Sequence, residues 1–132
     1  MPGGTSQKAL TAYDQVGGLP AVRRTVDRFY DLMGSDPQFA DLRRLHAADL
    51  GPMRDSLTGF LAAWLGGPQD WFGEHPGKCM MSVHRDVSVT EQTADQWARA
   101  MTRAIADCVD DKEVAAKMAE ALSKMTMMMA AA

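Results

Sequence analysis

The chain has few of the residues that usually bind metals or carry catalysis. Its 132 residues include three histidines and two cysteines. Cys79 and Cys108 form no Cys-x-x-Cys pair, and no His-x-x-x-His or His-Glu-x-x-His spacing occurs. These absences disfavour a zinc site, a dithiol redox centre and a thiol-linked cofactor. Because both cysteines have apolar neighbours in the sequence, we predict that they are small buried hydrophobic side chains.

The chain also has no run of basic residues and no long apolar stretch. Its formal net charge is −3, which argues against a surface that binds nucleic acid. Every apolar stretch falls well short of the roughly 20 residues needed to cross a bilayer. The N-terminal residues contain no apolar signal core. We therefore expect no nucleic-acid partner, no membrane partner and a cytoplasmic location.

The length and composition are those of one soluble globular domain spanning residues 1–132. Hydrophobic residues make up 46% of the chain and charged residues 23%. A chain of this size buries roughly two-thirds of its unfolded surface, which is enough for a core that contains a pocket. We expect residues 1–7 to be disordered and residues 126–132 to fray.

The apolar pattern predicts an all-α fold, because the longest repeats have the spacing of one helix face. After Pro20, the residues on this face are Val22, Val26, Phe29, Tyr30 and Met33. After Asp49, which can cap a helix, they are Leu50, Met53, Leu57, Phe60, Leu61 and Trp64. In a third long helix they are Ala94, Trp97, Met101, Ile105 and Cys108. In the last helix they are Val114, Met118, Ala121, Leu122 and Met125.

Glycine, proline and capping residues predict where these helices begin and end. A first short helix over residues 7–16 stops at Gly17-Gly18. Gly66-Gly67-Pro68 ends the second long helix, and residues 69–78 are predicted to form a loop. Residues 88–91, Ser-Val-Thr-Glu, match a capping box that begins the third long helix. Asp110-Asp111 begins the last one.

His84 is the residue most informative about function. It ends the segment Cys79-Met80-Met81-Ser82-Val83-His84, and Trp97 follows thirteen residues later. A buried neutral imidazole with one partner on each nitrogen is well suited to hold iron. Tyr30 and Trp97 are either packed aromatic residues or hydrogen-bond donors to a ligand. One histidine, few donors and many apolar side chains fit a buried iron cofactor better than acid–base catalysis.

The eleven methionines suggest copper(I) as an alternative metal, because thioethers bind copper(I). Most of these methionines occur at the spacing of core residues, so we interpret them as packing residues.

Several motifs occur in an order and at spacings that resemble the truncated haemoglobins of group II. The match covers roughly residues 13–125. Its elements are Tyr13-Asp14-Gln15-Val16-Gly17-Gly18, Phe29-Tyr30, Leu45-His46-Ala47-Ala48-Asp49-Leu50, Trp64-Leu65-Gly66-Gly67-Pro68, His84 and Trp97.

This resemblance implies a two-over-two helical sandwich around a non-covalent haem b. It makes His84 the proximal iron ligand and makes Tyr30, Trp97 and His46 the residues facing the distal ligand. Leu57 and Phe60 would cap the distal pocket. Met53 would stand at the gate and Trp71 near the haem edge. The remaining residues expected against the haem are Phe29, Met80, Val83, Val89 and Met101.

The chain departs from the family pattern at three places. Val83 stands where an arginine is usual before the proximal histidine. Glu74-His75-Pro76 is shifted by two residues from the usual Gly-His-Pro, so His75, Lys78 and Arg85 are the candidates to bind the propionates. Met53 is bulkier than the usual gate residue, which leaves two alternatives: it narrows ligand entry, or it reaches the iron.

The resemblance implies reversible binding of O₂, NO and CO, with NO dioxygenase or peroxide chemistry as candidate reactions and a reductase as a partner. Two alternatives stay open: a haem-dependent, peroxidase-like redox enzyme, and a helical interaction module without a cofactor. The expected oligomeric state is a monomer or a homodimer.

Overall fold

The computed structural model describes residues 11–46, 48–74 and 89–131, and their regular structure is entirely helical. The predicted all-α class is confirmed. The helices are α1 (Ala12–Val16), α2 (Gly18–Ser35), a 3₁₀ turn (Pro37–Phe39), α3 (Ala40–Arg44), α4 (Gly51–Trp64), α5 (Asp70–Glu74), α6 (Glu91–Cys108) and α7 (Lys112–Ala131).

Two helix pairs form the core of the fold. α2 packs against α4, α6 packs against α7, and α2 also packs across α6. The buried apolar residues of all four helices join in a single cluster. Such packing is expected of helices that each carry one apolar face, because each face must be buried against another helix.

The apolar face predicted for α2 is the buried one. Val22, Val26, Phe29, Tyr30 and Met33 are all buried. Gly17, with φ of 112°, ends α1 in the left-handed conformation that favours glycine. α2 begins at Gly18, so Pro20 lies in its first turn, where its missing N–H costs no helical hydrogen bond.

Only part of the inner face predicted for α4 is fully buried. Leu57, Phe60 and Leu61 are buried, whereas Leu50, Met53 and Trp64 are only partly buried. Asp49 precedes the N-cap residue Leu50, and its carboxylate accepts the N–H of Gly51 at 2.9 Å. Asp49 therefore contacts the start of α4, but the N-cap residue is Leu50 and not Asp49 as predicted.

The end of α4 is joined to α1 through Tyr13. The backbone N–H of Tyr13 donates to the carbonyl of Leu65 at 2.9 Å. Its ring lies so close to Gly67 that a Cβ added there would come within 2.5 Å of the ring. Tyr13 and the Gly66-Gly67-Pro68 motif, which are far apart in the sequence, are therefore in contact in the structure.

Three predicted boundaries are wrong. α1 begins at Ala12 rather than residue 7, because the Thr11 hydroxyl and the Asp14 carboxylate cap each other's backbone amides. The capping box of α6 uses Thr90 and Thr93, not residues 88 and 91. Residues 70–74, predicted to lie in a loop, form α5, whose Trp71 is buried against the core.

The last helix is longer than predicted. Asp111 accepts the N–H groups of Glu113 and Val114, both at 3.1 Å, and so caps the start of α7. The helix continues to Ala131, through most of the segment predicted to fray. Thr126 is buried there, and its hydroxyl donates to the carbonyl of Leu122 at 2.9 Å. Met125 and Met129 pack this segment against the core, and the hydrogen bond satisfies the buried Thr126 hydroxyl.

Candidate functional site

Phe29 is the centre of an aromatic cluster that joins α2 to α6. Its ring is fully buried and meets the ring of Tyr30 edge-on, with centroids 4.9 Å apart. It meets Trp97 in a similar way at 5.2 Å. Edge-to-face contacts of this kind stabilise aromatic pairs beyond simple burial. The structure thus brings together three residues that the sequence analysis singled out.

Tyr30 is buried, and that burial raises the pKa of its hydroxyl from 10.0 to about 12, although the nearby Arg54 charge opposes the shift. The hydroxyl therefore stays protonated at neutral pH. Within the described residues, neither this hydroxyl nor the indole N–H of Trp97 donates a hydrogen bond to the protein. Two donors on side chains that both pack against Phe29 can thus serve a ligand.

His46 approaches Tyr30 from the turn after α3. The two ring centroids are 6.0 Å apart, and the planes are nearly perpendicular. Nδ1 of His46 lies 3.0 Å from the carbonyl oxygen of Leu42. Because a carbonyl only accepts, Nδ1 carries the proton in this contact and Nε2 is the basic nitrogen of the neutral ring.

Gln96, next to Trp97, holds α3 against α6. The backbone N–H of Leu42 donates to Gln96 Oε1 at 3.0 Å, and Gln96 Nε2 donates to the Asp41 carboxylate at 3.2 Å. The Gln96 side chain is buried, so its amide oxygen provides the acceptor for the Leu42 N–H, which water does not reach. Gln96 was not predicted from the sequence. The one sign of its role there is that it is a polar residue next to Trp97.

Arg54 is the second residue that sequence analysis missed. Its guanidinium lies over the Tyr30 ring, 5.7 Å from the centroid, and forms ion pairs with Asp27 and Asp31 of α2. In the sequence it occupies a position between the apolar residues Met53 and Leu57. Charged residues there are usually read as part of a solvated face.

On the α4 side, Trp71 fixes the orientation of α5. Its indole N–H donates to the Ser56 hydroxyl at 3.1 Å, and its ring meets Phe60 edge-on with centroids 5.1 Å apart. The buried cluster that contains Phe29 and Tyr30 also contains Leu57, Phe60, Trp71 and Met101.

Three further predicted site residues are less buried. Met53 and Trp97 are partly buried and pack against the same cluster. Val89 is also partly buried but does not belong to the cluster. His84 lies outside the described residues. So do the other predicted residues of that segment, which are His75, Lys78, Cys79, Met80, Val83 and Arg85.

Cys108 departs from the prediction that it is fully buried. It is partly exposed, and its thiol lies 3.6 Å from the carbonyl oxygen of Arg24. Partial burial and the nearby Asp107 carboxylate raise the pKa of the thiol. A raised thiol pKa lowers the thiolate fraction, so Cys108 is a poor nucleophile at neutral pH.

Within residues 11–46, 48–74 and 89–131, no cluster of three His, Cys, Asp or Glu side chains has a metal-binding arrangement. In the same part of the chain, no helix combines the length and apolar character needed to cross a bilayer.

The chain matches the sequence model of a known family. The sequence model of the family described as "Bacterial-like globin" matches residues 11–131. The chain belongs to the bacterial-like globin family. A Group 1 truncated hemoglobin of Chlamydomonas moewusii is 28% identical over 106 residues, which cover 80% of this chain. The match covers 57% of that relative, so the chain spans little more than half its length.

Solved structures of truncated globins share the fold. A structure titled Group II 2-on-2 Hemoglobin, from Agrobacterium tumefaciens, has a TM-score of 0.89 at 24% identity and covers 98% of this chain and 97% of its own. A cold-adapted truncated hemoglobin from Pseudoalteromonas haloplanktis has a TM-score of 0.87 at 25% identity, covering 91% and 97%. The predicted two-over-two globin fold is confirmed.

Proposed function

We propose that this globin holds a haem b and binds O₂, NO and CO reversibly beside the cluster of Phe29, Tyr30 and Trp97. The observation that carries the proposal is the placement of two hydrogen-bond donors on a buried aromatic cluster in a globin fold. When bound, haem supplies an iron that takes diatomic ligands. The described residues fit such a group, because they combine apolar surface with donors that have no acceptor in the described part of the chain.

His84 is proposed as the residue that holds the iron, with Met80 and Val83 beside the cofactor. The support is in the sequence: His84 is flanked by apolar residues and precedes Trp97 by thirteen positions. A neutral imidazole is a common iron ligand in proteins. The described residues offer no cluster of ligating side chains that competes with it.

Tyr30 and Trp97 are proposed to donate hydrogen bonds to the bound gas. O₂ accumulates more negative charge on binding than CO does, so fixed donors stabilise O₂ more. A hydrogen bond to a charged group contributes about 1.5–3 kcal/mol, which corresponds to about 10- to 100-fold slower release of O₂. Two such donors favour retention of O₂ over its delivery.

Apolar residues are proposed to enclose the ligand and keep water out. Those already in the buried cluster are Phe29, Leu57, Phe60, Trp71 and Met101. Met53 and Val89, which are partly buried, would stand at the edge of the enclosure. Because the interior has a low dielectric, each hydrogen bond inside it is stronger than in water. The gate role of Met53 is the one that the family resemblance implies for its position near the start of α4.

We propose that the chain belongs to group II of the truncated haemoglobins. The support is the set of sequence motifs that ends at Trp97. Names of similar proteins differ on this point: the algal relative is named Group 1, while the Agrobacterium structure is titled Group II. At 24% identity, the similarity to the Agrobacterium structure shows a common fold and does not decide the group.

A second candidate is turnover of NO or peroxide, and His46 is the observation that favours it. Peroxide chemistry needs a group that exchanges protons with the ligand. The His46 ring lies 6.0 Å from the Tyr30 ring, centroid to centroid, which places a proton-exchanging side chain near the proposed ligand position. Repeated turnover also requires an electron donor, proposed to be a reductase. Rates of NO consumption and peroxide turnover by the purified protein would separate an enzyme from a gas binder.

The proposal is tested by adding haem b to the purified chain. We expect a red protein with a strong Soret band, and ferrous spectra that change on addition of CO. His84→Ala should lose most of this binding, while Lys117→Ala, which removes an exposed side chain of α7, should bind haem as wild type does. A colourless wild-type protein after haem supplementation would contradict the proposal and favour a cofactor-free helical interaction module.

A further inference from the structure

Arg54 joins the start of α4 to the middle of α2 through a fixed guanidinium. Its Nη1 donates to the carboxylate of Asp27 at 3.0 Å and to the carbonyl of the same residue at 3.2 Å. Its Nη2 donates to the carboxylate of Asp31 at 2.9 Å. With three acceptors on two nitrogens, the planar guanidinium is held in one orientation.

The guanidinium held in this way covers a face of Tyr30. Its central carbon is 5.7 Å from the ring centroid, which is within the range of an attractive cation–π contact. Asp27 and Asp31 lie one helical turn apart on α2, on either side of Tyr30 in the sequence. The carboxylates that bind Arg54 therefore belong to the same helix segment that carries the ring.

We propose that Arg54 is a positioning residue for the Tyr30 hydroxyl, acting through this stacked contact. By packing on the ring face, Arg54 restricts the tilt of the Tyr30 side chain and so fixes the position of the hydroxyl oxygen. By placing a positive charge on the ring face, it makes the hydroxyl a stronger donor. This inference rests on the proposed function, in which Tyr30 donates to a bound gas.

A purely structural role for Arg54 is the competing explanation, and Arg23 is the matched control for it. Arg23 donates to Asp27 at 3.3 Å and to Asp55 at 2.7 Å, so it also connects α2 with α4. The cation–ring contacts of the described residues involve Arg54 and Arg99, not Arg23. Removing either Arg23 or Arg54 weakens the same helix pair, but only the loss of Arg54 uncovers Tyr30.

The first measurement compares Arg54→Met with Arg23→Met in the haem-loaded protein. We expect Arg54→Met to release O₂ about three- to tenfold faster, with a much smaller change in CO release. Arg23→Met should release O₂ at the wild-type rate, although both variants lower the urea midpoint. Equal effects of the two variants on O₂ release would overturn the proposal.

The second measurement observes the ring directly. The chain contains two tyrosines, Tyr13 and Tyr30, so ring-labelled tyrosine gives two sets of NMR signals. In the CO-saturated protein, Arg54→Met should speed the ring flips of Tyr30 and leave those of Tyr13 unchanged. An unchanged Tyr30 flip rate would refute the positioning role.

These results separate the two proposals. If Tyr30→Phe leaves O₂ release unchanged, the proposed donor role fails, while the NMR measurement still decides whether Arg54 restrains the ring. If Tyr30→Phe speeds O₂ release and Arg54→Met does not, only the inference about Arg54 fails.

Discussion

The side chain of Gln96 accepts a hydrogen bond from the backbone N–H of Leu42, 3.0 Å away, across 54 residues of sequence. This bond ties α3, and with it the turn that carries His46, to the helix that carries Trp97. Two residues of the proposed pocket are thereby held in place by a third, whose side-chain amide bonds Leu42 and Asp41.

Replacing Gln96 by leucine should destabilise the protein by about 1–3 kcal/mol, because the buried N–H of Leu42 loses its acceptor. The measurement is the free energy of unfolding in urea. Gln92→Leu is the matched control, since Gln92 is exposed and donates to the same Asp41 carboxylate at 2.8 Å. The control should change stability by less than about 0.5 kcal/mol. Equal losses would show that Leu42 does not depend on Gln96.

Tyr30→Phe and Trp97→Phe should each speed O₂ release, by about 10- to 100-fold, because each removes one donor at the proposed ligand position. CO release should change much less. Stopped-flow displacement gives both rates. If O₂ and CO release accelerate by the same factor, the variants have changed access to the pocket and not its polarity.

Stability at alkaline pH should depend on Tyr30. Burial raises its pKa from 10.0 to about 12, so the folded state holds the proton more tightly than the unfolded state. The stabilisation is fully present below pH 10 and is lost as the pH rises towards 12. A shift of this size corresponds to about 3 kcal/mol. Tyr30→Phe should lose less stability than wild type over this range in urea unfolding, and parallel curves would contradict the assignment.

Gly67→Ala should destabilise the fold by about 1–3 kcal/mol, because the added Cβ would come within 2.5 Å of the Tyr13 ring. Gly34→Ala in α2 is the matched control. No atom lies within 4 Å of a Cβ added there, and alanine favours helix over glycine by about 0.5–1 kcal/mol. Thermal unfolding should therefore shift in opposite directions for the two variants. Stabilisation by Gly67→Ala would show that the ring is free to move away.

Helix positions and their inner faces were predictable because they depend on local spacing. The buried face of α2 and the left-handed Gly17 follow from residues within a few positions of each other. Short elements were harder to predict. α5 has five residues, too few to show a period, and depends on the contact of Trp71 with Phe60.

The choice of capping box shows a second limit of local patterns. Residues 88 and 91, Ser and Glu, match the usual capping-box residues, whereas residues 90 and 93, both Thr, share only the spacing. In the structure, Thr90 and Thr93 cap each other at the start of α6. The choice depends on where the chain enters the helix, which tertiary packing decides.

Part of the candidate site was predictable from motifs, and part was not. Phe29, Tyr30 and Trp97 were chosen from the sequence and meet in the structure. Arg54 and Gln96 were missed because their partners lie 27 and 54 residues away, beyond any helical repeat. The proposed iron ligand, His84, stays a prediction.

The contact between Tyr13 and the end of α4 makes the first helix a structural part of the domain. Deleting residues 11–17 would leave the Leu65 carbonyl without its donor and would uncover Gly67, which the tyrosine ring contacts. Shortened variants made to simplify crystallisation should therefore keep α1, since trimming it would loosen the helix that carries Met53, Arg54 and Phe60.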